Sequence, residues 1–236
     1  MLFAGQHRRV LAPDYHGYGE SSPPANGAQV SIADYARTIW QAMDQLGIEV
    51  IDVLGHHTGS KVATEMIAQR PSAVCGVVFI SASLRTEAEL KGAPPLFEPI
   101  APDSEGSRML SFLRAAEEYR GDGAGLDFCY EFVADCMRAG GRYQEGNRAA
   151  FRYNQIFPDR LRNISQRVHV LNPEDDLYAI TPRVLEHLSD RELITLPGWG
   201  LGMLHAHAEE TAEVVSQLLN RGSETSLETS VREDLG

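Results

Sequence analysis

The 236-residue chain is short of cysteine, of positive charge and of long apolar runs, and each shortage removes a class of function. There are three cysteines, Cys75, Cys129 and Cys136, and none forms a CxxC pair or a Cys/His zinc spacing. Cys129 and Cys136 would stand about 10 Å apart along a helix axis, too far for a disulfide within one straight helix. Neither a disulfide framework nor a structural zinc is expected, and no cofactor or metal is implied. Lys and Arg number 21 against 33 Asp and Glu, a net charge of −12. That balance argues against nucleic acid or an anionic membrane as partner. No apolar stretch approaches the roughly 20 residues of a membrane span, and Met1–Arg9 lacks the apolar core of a secretory leader. The expectation is a cytoplasmic protein.

What is present is a rhythm. Arg9–Pro13 reads as a short buried strand, followed by the turn-rich stretch Asp14-Tyr15-His16-Gly17-Tyr18-Gly19-Glu20-Ser21-Ser22. Ser31 and Asp34 form a capping box for a helix whose apolar face runs Ile32, Tyr35, Ala36, Ile39, Met43, Leu46, with Gly47 as its stop. Strands follow over 48–54 and 74–80, with a helix from Thr58 to Arg70 between them. The second strand is uniformly apolar, as strands covered on both faces are. From about 83 to 161 no strand is legible, but helical patterns cover 107–119, 126–139 and 147–156. Strands return at 168–171 and 193–196, and a helix over about 208–219 closes the pattern. The alternation predicts an α/β protein, a three-layer α/β/α sandwich around a mostly parallel sheet. Its core takes 1–82 and 162–220, a helical cap insertion takes 83–161, and the polar tail 221–236 is expected to be disordered.

One stretch carries chemistry. "LGHHTGS", residues 54–60, sets Gly55 and Gly59 at the spacing of a nucleophile elbow, G-x-S-x-G, with His57 where the serine should stand. The glycines are read as flanking a turn too tight for side chains. Imidazole can attack a carbonyl or act as a general base near neutral pH. Thr58 opens the next helix, whose amides can receive negative charge. Ser60 is read as a plain helix-start serine.

Four segments in order resemble the α/β-hydrolase superfamily, in its capped lipase/esterase, haloalkane dehalogenase and epoxide hydrolase branch. "VLAPDYHGYGESS" is similar to its strand and D-x-x-G-x-G-x-S loop, and "VIDVLGHHTG" to its elbow. "VHVLNPEDD" is similar to the strand that carries the catalytic acid, and "LITLPGWGL" to the last strand and histidine loop. The resemblance implies His57 as base or nucleophile, Asp176 as the acid with Asp175 as the adjacent alternative, and the Thr58 amide as an oxyanion donor. Leu201 fills the place of the family histidine by local string, and His205, one turn on, is the candidate base by chemistry. His56 and His16 are expected around the pocket. Convergence of His56, His57, His205, His207 and Asp176 would suggest a metal, but no zinc spacing links them.

The family's first strands and its H-G loop would precede Met1, so the chain reads as N-terminally truncated. A sheet edge so exposed favours a homo-oligomer. Two functions remain open: a hydrolase of a small ester-like substrate, and a non-catalytic small-molecule binding protein with a degenerate triad.

Overall fold

A computed structural model describes residues 8–25, 28–92 and 101–233, the side chains of 141 and 221–233 excepted. Four strands form one parallel sheet: β1 (Ile51–His56), β2 (Val74–Ile80), β3 (Val168–Pro173) and β4 (Arg191–Leu196), arranged in chain order. Burial follows position. All six residues of the inner strand β3 are buried and most of β2 is, while the outer strands β1 and β4 alternate. The apolar run "VCGVVFI" is therefore the sequence of a strand with a layer on each face.

Helix α1 (Ile32–Gln45) begins at the foreseen capping box: the Ser31 side chain accepts from the Asp34 amide, and Asp34 accepts from the Ser31 amide. Its buried face of Ile32, Tyr35, Ala36, Trp40 and Met43 meets α2 (Thr58–Gln69), where Trp40 Nε1 donates to the Met66 carbonyl at 3.1 Å. These helices lie on one face of the sheet with α6 (Tyr143–Tyr153) and α7 (Phe157–Arg162), around Val53, Val77, Phe79, Val168 and Val170. On the other face Val78, Ile80 and Leu171 pack against Val215, Leu218 and Leu219 of α9 (Ala208–Glu233) and Met203 of the short α8 (Met203–Ala206). Helix, sheet and helix make the three layers.

Between β2 and β3 the chain is helical: α3 (Glu87–Gly92), α4 (Ser107–Tyr119), α5 (Leu126–Arg138), then α6 and α7. Helices α4 and α5 pack through two small clusters, around Ala116, Phe128 and Cys129 and around Phe112, Val133 and Cys136. α6 starts at Tyr143, earlier than the pattern over 147–156 suggested, because a 3-10 turn at Gly140–Arg142 leads into it.

The first expected strand is a correction. Residues 9–13 pair with no strand, and Leu11 is 40% exposed. A strand is defined by a ladder partner, and among the described residues nothing offers one to this segment; Arg8 instead pairs by its side chain with Asp52 of β1 at 2.5 Å. The following loop bonds to itself, with Asp14 accepting the Glu20 amide and Ser21 donating to the Asp14 carbonyl. At the other end α9 continues to Glu233, through the polar stretch for which disorder was the expectation.

Candidate active site

The carboxyl ends of β1, β2 and β3 meet at one place, the usual position of a site in an open parallel sheet. β1 turns sharply into α2 at His57, whose φ of 50° and ψ of −117° lie outside the regions that side chains favour. Such a residue costs about 1–3 kcal/mol and persists only where its surroundings over-determine it. Here the surroundings are explicit. The His57 amide donates to the Ile80 carbonyl at 3.0 Å, tying the turn to the end of β2. A Cβ on Gly55 would lie 2.4 Å from the Gly59 carbonyl oxygen and 2.7 Å from the Ser60 Cα, so backbone meets backbone and only glycine fits. Gly59 is different. A Cβ there would meet only the Tyr15 hydroxyl, at 3.6 Å, so the expectation of a clash at both glycines holds for the first alone.

The turn carries His57 to a buried carboxylate. Its Nε2 lies 2.9 Å from Oδ2 of Asp175, a side chain with no exposed surface. The same oxygen accepts from the Ser81 hydroxyl at 2.5 Å, and Oδ1 accepts the Leu177 amide at 2.8 Å. Burial works to raise the Asp175 pKa, but the hydrogen bond and charge of His57, with Ser81 and Leu177, hold it below the usual carboxylate value. Asp176 is the looser neighbour: its Oδ1 is 3.8 Å from His57 Nε2, its side chain is 42% exposed, and burial raises its pKa. Of the two loop carboxylates it is therefore Asp175 that holds the imidazole. With Nε2 facing Asp175, Nδ1 is the nitrogen left to take a proton.

His56 stands beside the pair, its ring centroid 4.4 Å from that of His57. Burial, and then the charge of His57, push its pKa down to about 3, so the ring is neutral. Its Nε2 is shut off from solvent and has no hydrogen-bond partner among the described residues. Thr58 opens α2, and among the described residues no acceptor receives its amide or that of Gly59. Tyr15, to which the sequence assigned no role, places its hydroxyl 3.6 Å from where a Cβ on Gly59 would stand, and burial pushes its pKa up to about 12. The signal was an aromatic beside the glycines of the Asp14–Gly19 loop.

Other candidates lie apart. His205, on α8, faces α5, with Nε2 3.6 Å from Asp127 and Nδ1 3.5 Å from Glu131, and makes no hydrogen bond or ion pair to His57, Asp175 or Asp176. Leu201 packs with Ala116, Ala124 and Phe128, and its amide donates to the Tyr119 carbonyl. His207 stacks on Trp199 at 4.5 Å and bonds the Asp122 carbonyl. His16 bonds the Ser22 carbonyl at 3.1 Å and so closes its own loop. A cavity of about 250 Å³ opens elsewhere, lined by residues such as Val30, Ile32, Glu65, Arg152 and Tyr153, and contains none of the residues around His57.

Residues 2–119 match the family described as the alpha/beta hydrolase fold. A stretch of 73 residues, 31% of this chain and 23% of that protein, is 32% identical to "Epoxide hydrolase 3" of Siraitia grosvenorii. Another of 77 residues is 34% identical to "2-hydroxymuconate semialdehyde hydrolase" of Pseudomonas putida, covering 33% and 27% of the two chains. The chain thus aligns with about a quarter of the length of these relatives. Among solved structures, the esterase from Exiguobacterium antarcticum superposes with a TM-score of 0.73 over 88% of this chain and 80% of that one, at 17% identity, a likeness of fold. No helix among the described residues is long and apolar enough to cross a membrane.

Proposed function

The chain belongs to the alpha/beta hydrolase fold family, and from that premise we propose that it hydrolyses a small ester-like substrate with His57 as general base. One observation carries the reading: His57, at the turn where the family sets its nucleophile, is held at 2.9 Å by the buried Asp175. An imidazole oriented by a buried carboxylate is the base half of a catalytic triad. A water takes the serine's part. Nδ1 of His57 removes its proton as the water oxygen bonds to the substrate carbonyl carbon, and the carbonyl pair moves onto oxygen. Asp175 stabilises the imidazolium without taking its proton. The Thr58 amide, at the positive end of α2, receives the oxyanion. Collapse of the intermediate breaks the bond to the leaving oxygen, to which His57 returns the proton. Substrate enters beneath the helices between β2 and β3, which act as the cap.

The hydrolase names of the matched relatives support the reaction class and leave the substrate open. The test is turnover of short p-nitrophenyl esters. His57→Ala and Asp175→Asn are expected to lower kcat by roughly 10²-fold or more, the usual worth of a positioned base. His205→Ala is expected to change little. Full activity in His57→Ala overturns the proposal. A second reading, a binding protein with no turnover, is favoured by one fact: neither His205 nor His207 reaches Asp175. Saturable ligand binding by a wild type inactive on every ester is its signature.

A further inference from the structure

Adjacent residues of a strand point to opposite faces, so His56 and His57 should diverge. They do not, because the positive φ of His57 reverses the chain between them and brings the rings to 4.4 Å at 65°. Asp175 completes a group of three: one ligand atom from each of His56, His57 and Asp175 lies within 4.8 Å of the other two. A buried polar atom without a partner costs about 1–3 kcal/mol, and among the described residues Nε2 of His56 is such an atom. The hydrolytic mechanism gives it no role.

We propose that His56, His57 and Asp175 bind a divalent transition-metal ion of the Zn2+ class. Two imidazoles and one carboxylate are the donor set such ions take, whereas Mg2+ and Ca2+ prefer oxygen alone. Tetrahedral zinc sets its ligand atoms about 3.3 Å apart, so side-chain rotations suffice to close the group. The ion replaces the proton between His57 Nε2 and Asp175, and His57 then carries its proton on Nδ1. Asp175 is already held from behind by Ser81 and the Leu177 amide, as ligating carboxylates commonly are. Asp176, 42% exposed and 3.8 Å from His57, stands where a fourth ligand or a water would enter. The spacing criterion missed the site because one ligand lies 118 positions from its partner.

The proposal shares His57 and Asp175 with the hydrolytic reading but stands on His56, so the two fail separately. Zn2+ is titrated into chelator-stripped full-length protein by calorimetry, with bound metal counted after dialysis. One equivalent is expected in the wild type, with affinity weakened roughly tenfold or more in His56→Ala and unchanged in His187→Ala, a histidine at the end of the 3-10 turn Thr181–His187. Equal affinity and stoichiometry in wild type and His56→Ala overturn the site. Should His56→Ala fold poorly, Co2+ in the wild type decides: an intense visible spectrum reports a tetrahedral nitrogen-rich site, and a weak octahedral one overturns it. Esterase activity measured in chelator tests the base mechanism alone. Added Zn2+ is expected to suppress that activity by capturing His57, and undiminished turnover at saturating Zn2+ also overturns the site.

Discussion

Lys61 is an amine buried on α2, only 1% exposed, and its removal should change how stability depends on pH. Its Nζ donates to the Ala150 carbonyl at 3.0 Å and to Asn154 Oδ1 at 3.4 Å, and lies 5.3 Å from the centre of the Phe157 ring. Burial, and then the charge of Arg85, push its pKa from an ordinary 10.5 down to about 7. Between those values the unfolded chain binds a proton that the folded chain does not, so stability must rise with pH by about 1.4 kcal/mol per unit. At pH 7 and below the buried lysine withholds ~5 kcal/mol. Lys61→Met keeps the length of the stem and discards the charge. It leaves the Ala150 carbonyl without its donor, a loss of about 1–3 kcal/mol, while Asn154 still bonds the backbone of Arg85. The variant should be about 2–4 kcal/mol more stable than wild type at pH 7, and the gain should vanish towards pH 9.5. Urea unfolding at intervals across pH 7–9.5 measures both curves, and the difference between them cancels the tyrosine ionisation that both chains share near the upper end. Parallel curves would refute the reasoning, for they would mean that the folded chain keeps its lysine charged.

Three further outcomes follow from the same geometry. Gly55→Ala should cost about 3 kcal/mol, read as a lowered urea midpoint, because its Cβ meets the backbone of Gly59 and Ser60 at under 3 Å. His57→Gly should abolish ester turnover and leave the unfolding midpoint nearly unchanged, since relief of the positive φ, about 1–3 kcal/mol, is offset by loss of the bond to buried Asp175, also about 1–3 kcal/mol. Asp175 supplies stability that is full above the ordinary carboxylate pKa near 3.8 and is lost as pH falls through its lower folded value. Acid unfolding of Asp175→Asn should therefore lack that part of the wild-type slope.

Periodicity and chain punctuation made most of the fold legible. Ser31 and Asp34 marked the start of α1, Pro71 stopped α2, and the unbroken apolar run of β2 announced a strand covered on both faces. Residues 9–13 misled because an apolar run specifies a strand only if something lies beside it to pair with. The site was legible in its frame, Gly55 to Gly59, since sterics at Gly55 leave one solution. Its partners were not. Asp175 and Asp176 sit in a loop without a period, and only the direction in which the chain enters decides which carboxylate turns inward. His205 lies at one-turn spacing from Leu201, yet α8 presents it to Asp127 and Glu131 on α5. Nothing local in "HH" discloses that the strain at one histidine aims both rings together.

Strand order that equals chain order also governs how the sheet comes to exist. The β1–β2 ladder joins Ile51 to Val74 and the β3–β4 ladder joins Val168 to Arg191, each across 23 residues, the difference between the paired numbers. The middle ladder joins Val77 to Val168, across 91. Closing the longer span costs only about 1.2 kcal/mol more entropy, but that penalty falls before any contact repays it, slowing the event by almost tenfold. By sequence separation alone, the two local ladders are expected to form before the middle one. The His57–Asp175 hydrogen bond spans that middle division, joining a residue that follows β1 to one that follows β3.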